Sequence, residues 1–267
     1  MDCRDVDRAL LEGGGIAQLQ DVQDHLRSCG HCRTLAQALD PRRVEAAPSS
    51  DTLRHIEQSL AADLRAVQPM WPLSYFFTAF AGIFVLIVSF GAYRMGTFAI
   101  SVMSPLQAAA ILCALAASAG LLAYSLVHQM VPGSRQRVSP QPLPAGIMVF
   151  LLLIVAGLFQ IQQDPKFWAH GWACLSVGTP FALFAAVPFW FLLRRGAVLS
   201  PRLTGAATGL LSGLVGTSVL EVHCPNLDAL HIVTWHLGVS LLGATTGLGI
   251  GFLAERSARR RQNDPSA

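Results

Sequence analysis

The chain has 267 residues, 52% of them hydrophobic and only 13% charged, where an ordinary soluble domain carries about 25% charged residues. The deficit comes from residues 72–254, which excludes a wholly soluble globular protein, and the net charge of +3 informs only through its placement. No nucleophile motif, phosphate loop or H-E-x-x-H sequence is present, so nothing points to an enzyme.

Residues 1–70 are polar and helical in pattern, so no cleavable signal peptide is expected there. Short helices are predicted over residues 4–11 and 16–28, broken by Gly13-Gly14-Gly15, and a third from Cys32 to Leu39. His25 and Cys29 share a helix face at i and i+4, and Cys32 follows after a two-residue turn. Structural zinc takes four nitrogen or sulfur ligands in a tetrahedron, and Cys3 completes the set if the first helix packs beside the second. Cys3, His25, Cys29 and Cys32 are therefore the expected ligands of one Zn2+, with His31 a bystander.

Pro41 and Ala46-Ala47-Pro48-Ser49 read as a linker, after which Ser50 or Asp51 can cap a further helix. Leu53, Ile56, Leu60, Leu64 and Val67 recur there at steps of three and four. The stripe either packs on the metal module or forms a docking face for a partner.

Six segments are long and apolar enough to span a bilayer, which takes roughly 20 residues each. They are Leu73–Tyr93, Leu106–Met130, Ala145–Ile161 (the short one), Ala173–Leu193, Leu203–Val222 and Ile232–Ala254. Arg135, Arg137, Arg194, Arg195, Arg202, Arg256, Arg259, Arg260 and Arg261 fall in the second and fourth loops and the tail. The other loops hold only Arg94 and Lys166. The positive-inside rule then places both termini in the cytoplasm, and the basic tail is expected to rest on anionic membrane lipid, not on nucleic acid.

On this topology Cys3, Cys29 and Cys32 meet a reducing compartment that favours metal, while Cys174, at the outer start of the fourth span, and Cys224, in the last outer loop, could pair. Cys113 lies mid-membrane as plain packing. His170, Glu221, His223, His231 and His236 surround the outer cysteines in sequence, with His236 expected too deep in the sixth span to join them. Gly205, Gly209 and Gly213 on the fifth span, and Gly243, Gly247 and Gly251 on the sixth, make faces that allow close helix approach. No Asp, Lys or Arg lies at bilayer depth, which argues against a pump or ion-coupled transporter.

Cys3 with His25-Leu26-Arg27-Ser28-Cys29-Gly30-His31-Cys32-Arg33 resembles the zinc-binding anti-sigma domain of bacteria over residues 1–45. Residues 50–255 resemble the NrsF-type membrane anti-sigma family through Ala61-Ala62-Asp63-Leu64-Arg65-Ala66-Val67-Gln68-Pro69, Trp172-Ala173-Cys174, His223-Cys224-Pro225-Asn226 and Leu230-His231-Ile232-Val233-Thr234-Trp235-His236. The resemblances imply an all-α protein with a zinc module over residues 1–45, a linker and amphipathic helix over 46–72, a six-helix transmembrane bundle over 73–254 and a basic tail over 255–267. They further imply a membrane-bound anti-sigma factor of the bacterial inner membrane. Leu53, Ile56, Leu60 and Leu64 would hold an extracytoplasmic-function sigma factor, and an oxidant or soft metal at Cys174 and Cys224 would release it. The rival is a small six-span transporter or metal-handling protein with a regulatory zinc knuckle.

Overall fold

The computed structural model describes Cys3, Val6 and residues 20–38, 49–63, 71–131, 133–134, 137–162, 165–198 and 200–263. Among the described residues every regular element is helical. The chain divides into two compact units, Met1–Gln68 and Pro69–Ala267.

In the first unit, α1 (Gln20–Ser28) and α2 (Gly30–Ala38) meet at Cys29. Its N–H donates to the His25 carbonyl (2.8 Å) and its own carbonyl accepts from Arg33 (3.2 Å), so Cys29 ends one helix and starts the next. The Arg33 guanidinium donates to the carbonyls of Leu26 (3.1 Å) and Arg27 (2.6 Å), satisfying the end of α1. The second of these helices thus begins two residues before the position predicted from sequence. Val6, Val22 and Cys32 form a small buried core, with Leu26 and Cys29 against it. The helix predicted over residues 4–11 and the triple glycine lie, apart from Val6, outside the described residues. A third helix, α3 (Ser50–Asp63), is capped by Ser49, whose hydroxyl accepts from the Thr52 N–H at 3.2 Å, in place of Ser50 or Asp51.

The second unit contains α4 (Leu73–Met95), α5 (Phe98–Val102), α6 (Pro105–Met130), α7 (Leu143–Leu158), α8 (Phe167–Leu193), α9 (Pro201–His223), α10 (Ala229–His231), a π-helix (Ile232–His236) and α11 (Leu237–Asn263). Among the described residues five segments are long and apolar enough to cross a membrane: α4, α6, α8, α9 and the run Ala229–Arg260. The third predicted span, α7, has 16 residues, about 24 Å of helix against a hydrocarbon core of about 30 Å. Gly96 closes α4 with a φ of 88°, open to glycine at little cost. Ser104 and Gln107 start α6 with a reciprocal capping box. The Gln107 amide also donates to the Leu158 carbonyl at 2.8 Å, tying the start of α6 to the end of α7.

Helix α9 is the buried axis of this unit, with nearly every residue from Ala206 to Val222 buried, while α4 and α8 turn large apolar side chains outward. Outward Leu86, Leu153, Phe184 and Leu183 form the kind of surface that suits lipid. Cys113 of α6 is exposed. Helix α8 begins six residues before the predicted span, extended by Phe167, Trp168 and Trp172, whose rings gather around Trp235. Cys174 consequently lies inside the helix, about 10 Å beyond its first residue, and not at its start.

The two glycine faces predicted on the fifth and sixth spans meet each other. A Cβ on Gly205 would collide with the Gly247 carbonyl, and one on Gly209 with the Gly243 carbonyl. Further along, Arg202 of α9 pairs with Glu255 of α11 at 2.6 Å. Gly209→Ala is expected to destabilise the membrane unit by about 1–3 kcal/mol, the usual cost of forcing extra volume into a packed interface. Gly249→Ala, where an added Cβ meets nothing within 4 Å, is the neutral control. Thermal loss of helical circular dichroism in detergent measures both.

Candidate functional site

Two clusters of metal-ligating side chains stand out among the described residues. In the first, the ligand atoms of Cys3, His25, Cys29 and Cys32 all lie within 4.8 Å of one another. Cys3 Sγ is 3.6 Å from His25 Nε2 and 3.8 Å from Cys29 Sγ. Zinc bonds of about 2.3 Å to sulfur and about 2.0–2.1 Å to nitrogen give tetrahedral edges of about 3.8 Å between sulfurs and about 3.5 Å between sulfur and nitrogen. The donor set and its spacing therefore suit zinc. Helix geometry supplies the local half: α1 presents His25, and the α1–α2 junction turns Cys29 and Cys32 to the same point. His31 is exposed and outside the cluster, as expected.

The two neighbouring thiols are driven apart in acidity. The backbone N–H of Cys32, followed by its thiol, holds Cys29 down at about 6. Burial, and then the adjoining Cys3 and Cys29 sulfurs, push Cys32 up to about 12. Of this pair, Cys29 is therefore the thiolate and Cys32 the thiol at neutral pH without metal.

Leu53, Ile56 and Leu60 on α3 are all exposed, at 47%, 47% and 62%, so the described residues do not bury the stripe. Leu64 lies outside the described residues.

In the second cluster, Cys174 of α8 and Cys224 at the end of α9 are both buried, their sulfurs 3.5 Å apart. His231 Nε2 lies 3.4 Å from Cys174 Sγ and 3.7 Å from Cys224 Sγ. His236 joins them, contrary to the expectation that it sits too deep. Five positions separate the two histidines, which puts them about 140° apart on a regular α-helix. The π-helix Ile232–His236 widens that turn and draws them together. The Thr217 hydroxyl donates to the His236 carbonyl at 2.7 Å and pairs with the Ser240 hydroxyl at 2.8 Å, bracing the wide turn against α9. Glu221, only 1% exposed, accepts from His236 Nδ1 at 2.9 Å. Asp228 accepts from the N–H groups of Gln162 (2.7 Å) and His231 (2.9 Å) and so sets the turn that carries His231. His170 and His223 fall outside this cluster; the His223 ring packs against Phe98. Sequence reading missed the role of Asp228, whose only sequence signal is an Asp three residues before His231.

The family described as "Negative regulator of sigma F", NrsF, matches residues 60–256, about three quarters of the chain. The chain belongs to the NrsF family. It is 29% identical over 136 residues to a protein of Azospira oryzae (strain ATCC BAA-33 / DSM 13638 / PS) named probable anti-sigma-F factor NrsF, covering 48% of this chain and 62% of that relative. It is 34% identical over 112 residues to the anti-sigma-F factor NrsF of Caulobacter vibrioides (strain NA1000 / CB15N), covering 38% of this chain and 52% of the relative. The chain thus spans just over half the length of these curated relatives. No solved structure matches it. The NrsF match contains the second cluster whole and leaves residues 1–59, with the first cluster, outside it.

The divided acidity of the first cluster gives a direct measurement. A lowered thiol pKa means thiolate above that value and thiol below it. In metal-free protein, alkylation of Cys29 should therefore rise with a midpoint near pH 6, while Cys32 stays unreactive through neutral pH. Peptide mass spectrometry after iodoacetamide treatment follows both. A Cys29 midpoint at the ordinary thiol value of about 8.5 would mean that the Cys32 N–H does not stabilise its thiolate.

Proposed function

We propose that this NrsF-family protein is a membrane-bound anti-sigma factor that sequesters an extracytoplasmic-function sigma factor. The observation that carries this reading is the family match over residues 60–256, joined to an apolar helix stripe, Leu53, Ile56 and Leu60, left uncovered among the described residues. Continued through Leu64, that stripe has the spacing of a helix that docks in a groove.

In this reading residues 1–45 form a cytoplasmic module stapled by one Zn2+ at Cys3, His25, Cys29 and Cys32. Residues 46–72 carry the gripping helix, 73–254 the six-helix membrane domain, and 255–267 a basic tail on anionic lipid. The placement of arginines in the second and fourth loops and beyond residue 254 supports a cytoplasmic location for both ends, in the bacterial inner membrane. Cys174 and Cys224 face the signal. A two-electron oxidant would join their sulfurs in a disulfide, taking two electrons and releasing two protons. A soft metal ion would instead bind both thiolates.

The full chain, purified from membranes of its native host, should carry a sigma factor. Ile56→Asp combined with Leu60→Asp should reduce its recovery at least tenfold, about 1.4 kcal/mol of binding, with the chain itself still present in the membrane. Recovery of a sigma factor unchanged by this pair would move the grip away from α3. Recovery of none by the parent chain would overturn the reading.

A further inference from the structure

The second cluster contains more donors than a cysteine pair needs. Four elements converge on it: α8 brings Cys174, the end of α9 brings Cys224, α10 brings His231, and the π-helix brings His236. The four ligand atoms lie within 4.8 Å of one another. We propose that Cys174, Cys224, His231 and His236 form a resident tetrahedral metal site for zinc(II), with Glu221 as the carboxylate that orients His236. The inference does not depend on the sigma-factor reading.

The distances fit. The sulfur–nitrogen separations of 3.4 and 3.7 Å bracket the tetrahedral edge of about 3.5 Å that zinc would impose, and the sulfur–sulfur separation of 3.5 Å is a little shorter than the corresponding edge of about 3.8 Å. A disulfide bond, at about 2.05 Å, accounts for neither histidine.

A ring atom is also waiting for a partner. His236 commits Nδ1 to Glu221, and its Nε2 is buried without a hydrogen bond in a residue 1% exposed. A buried polar atom left alone is costly, and a metal is the partner that this donor set provides for it. The Glu221–His236 pair is the carboxylate–histidine arrangement that fixes ring orientation at metal centres and strengthens the ligand.

Charge selects the ion. Two thiolates and two neutral imidazoles balance a divalent cation to zero, and a neutral centre is the one an apolar interior tolerates. A monovalent soft ion would leave a net negative charge beside the Glu221 carboxylate. Phe167, Leu175, Val177, Trp235 and Leu220 wall the cluster from water. The softness of a mixed sulfur and imidazole set also suits zinc over harder ions. Binding would release the two thiol protons.

The test uses the full chain in detergent with Cys29→Ser and Cys32→Ser, which empties the first cluster. The reduced protein is stripped with chelator and titrated anaerobically with Co2+. A thiolate-to-cobalt charge-transfer band and intense tetrahedral d–d bands should saturate at one equivalent and vanish when zinc is added. His236→Ala on this background should weaken binding at least tenfold, and Glu221→Gln by about 10–100-fold. No such bands in a chain that retains its helical circular dichroism would overturn the site. So would bands that survive Cys174→Ser with Cys224→Ser. A measurement on the unsubstituted chain guards against misfolded variants: zinc should protect Cys174 and Cys224 from alkylation, and equal alkylation with and without zinc would overturn the proposal. The readouts are metal and thiol chemistry, so failure here leaves the sigma-factor reading standing, and absence of a sigma factor leaves this one.

Discussion

The membrane unit is organised by the backbone contact between α9 and α11. Lipid gives apolar helices no hydrophobic reason to associate, so close packing and internal hydrogen bonds must hold them. Gly205 and Gly209 let α9 lie against the carbonyls of Gly247 and Gly243, nearer than any side chain would allow. The same pair of helices continues upward into polar contacts, Thr217 on the His236 carbonyl and on Ser240, and then Glu221 on the His236 ring. Helix α8 closes on this pair through Gly178, which lies against Leu220 and Val239, and through Gly171, which lies against the Trp235 ring. Cys174 arrives beside Cys224 because those two glycines leave room for it.

Glu221 and His236 are ionisable groups with almost no exposure inside the second unit. Such groups persist only when each finds a partner. Their pairing explains why a carboxylate is tolerated at the end of α9, and the site beyond them explains why the pair is directed toward two thiols. A bound metal and a disulfide make opposite demands on these sulfurs, one holding them at a tetrahedral edge and the other drawing them into a covalent bond. Exchange between the two would act on α8 through Cys174 and on the turn after α9 through Cys224, which gives the cluster a mechanical connection to both elements at once.

The first unit solves a different problem. Its core among the described residues is Val6, Val22 and Cys32 with Leu26 and Cys29 against it, and small domains gain most from a metal or other cross-link. A metal held by four ligands between Cys3 and the α1–α2 junction would supply such a constraint. Leu53, Ile56 and Leu60 of helix α3 are exposed and take no part in that core.

Features that depend on neighbours along the chain were legible in the sequence. The H-x-x-x-C-x-x-C spacing brings His25 and Cys29 to one face by helical repeat, and Cys32 follows after a short turn. The apolar runs mark the long helices, and glycines every fourth residue mark the faces of α9 and α11, because hydropathy and periodicity are one-dimensional properties. What the tertiary structure alone decided is convergence. Cys3 meets His25 and Cys29 across 22 and 26 positions of sequence, and the depth of Cys174 depends on aromatic residues lengthening α8 around Trp235. The joining of His231 and His236 depends on a π-helix that no periodicity announces, since a single wide turn shifts the register of one helix by packing and hydrogen bonding to another. The uncovered stripe on α3 likewise could not be told from a buried one by its spacing, because the same repeat serves a core and a docking face equally well.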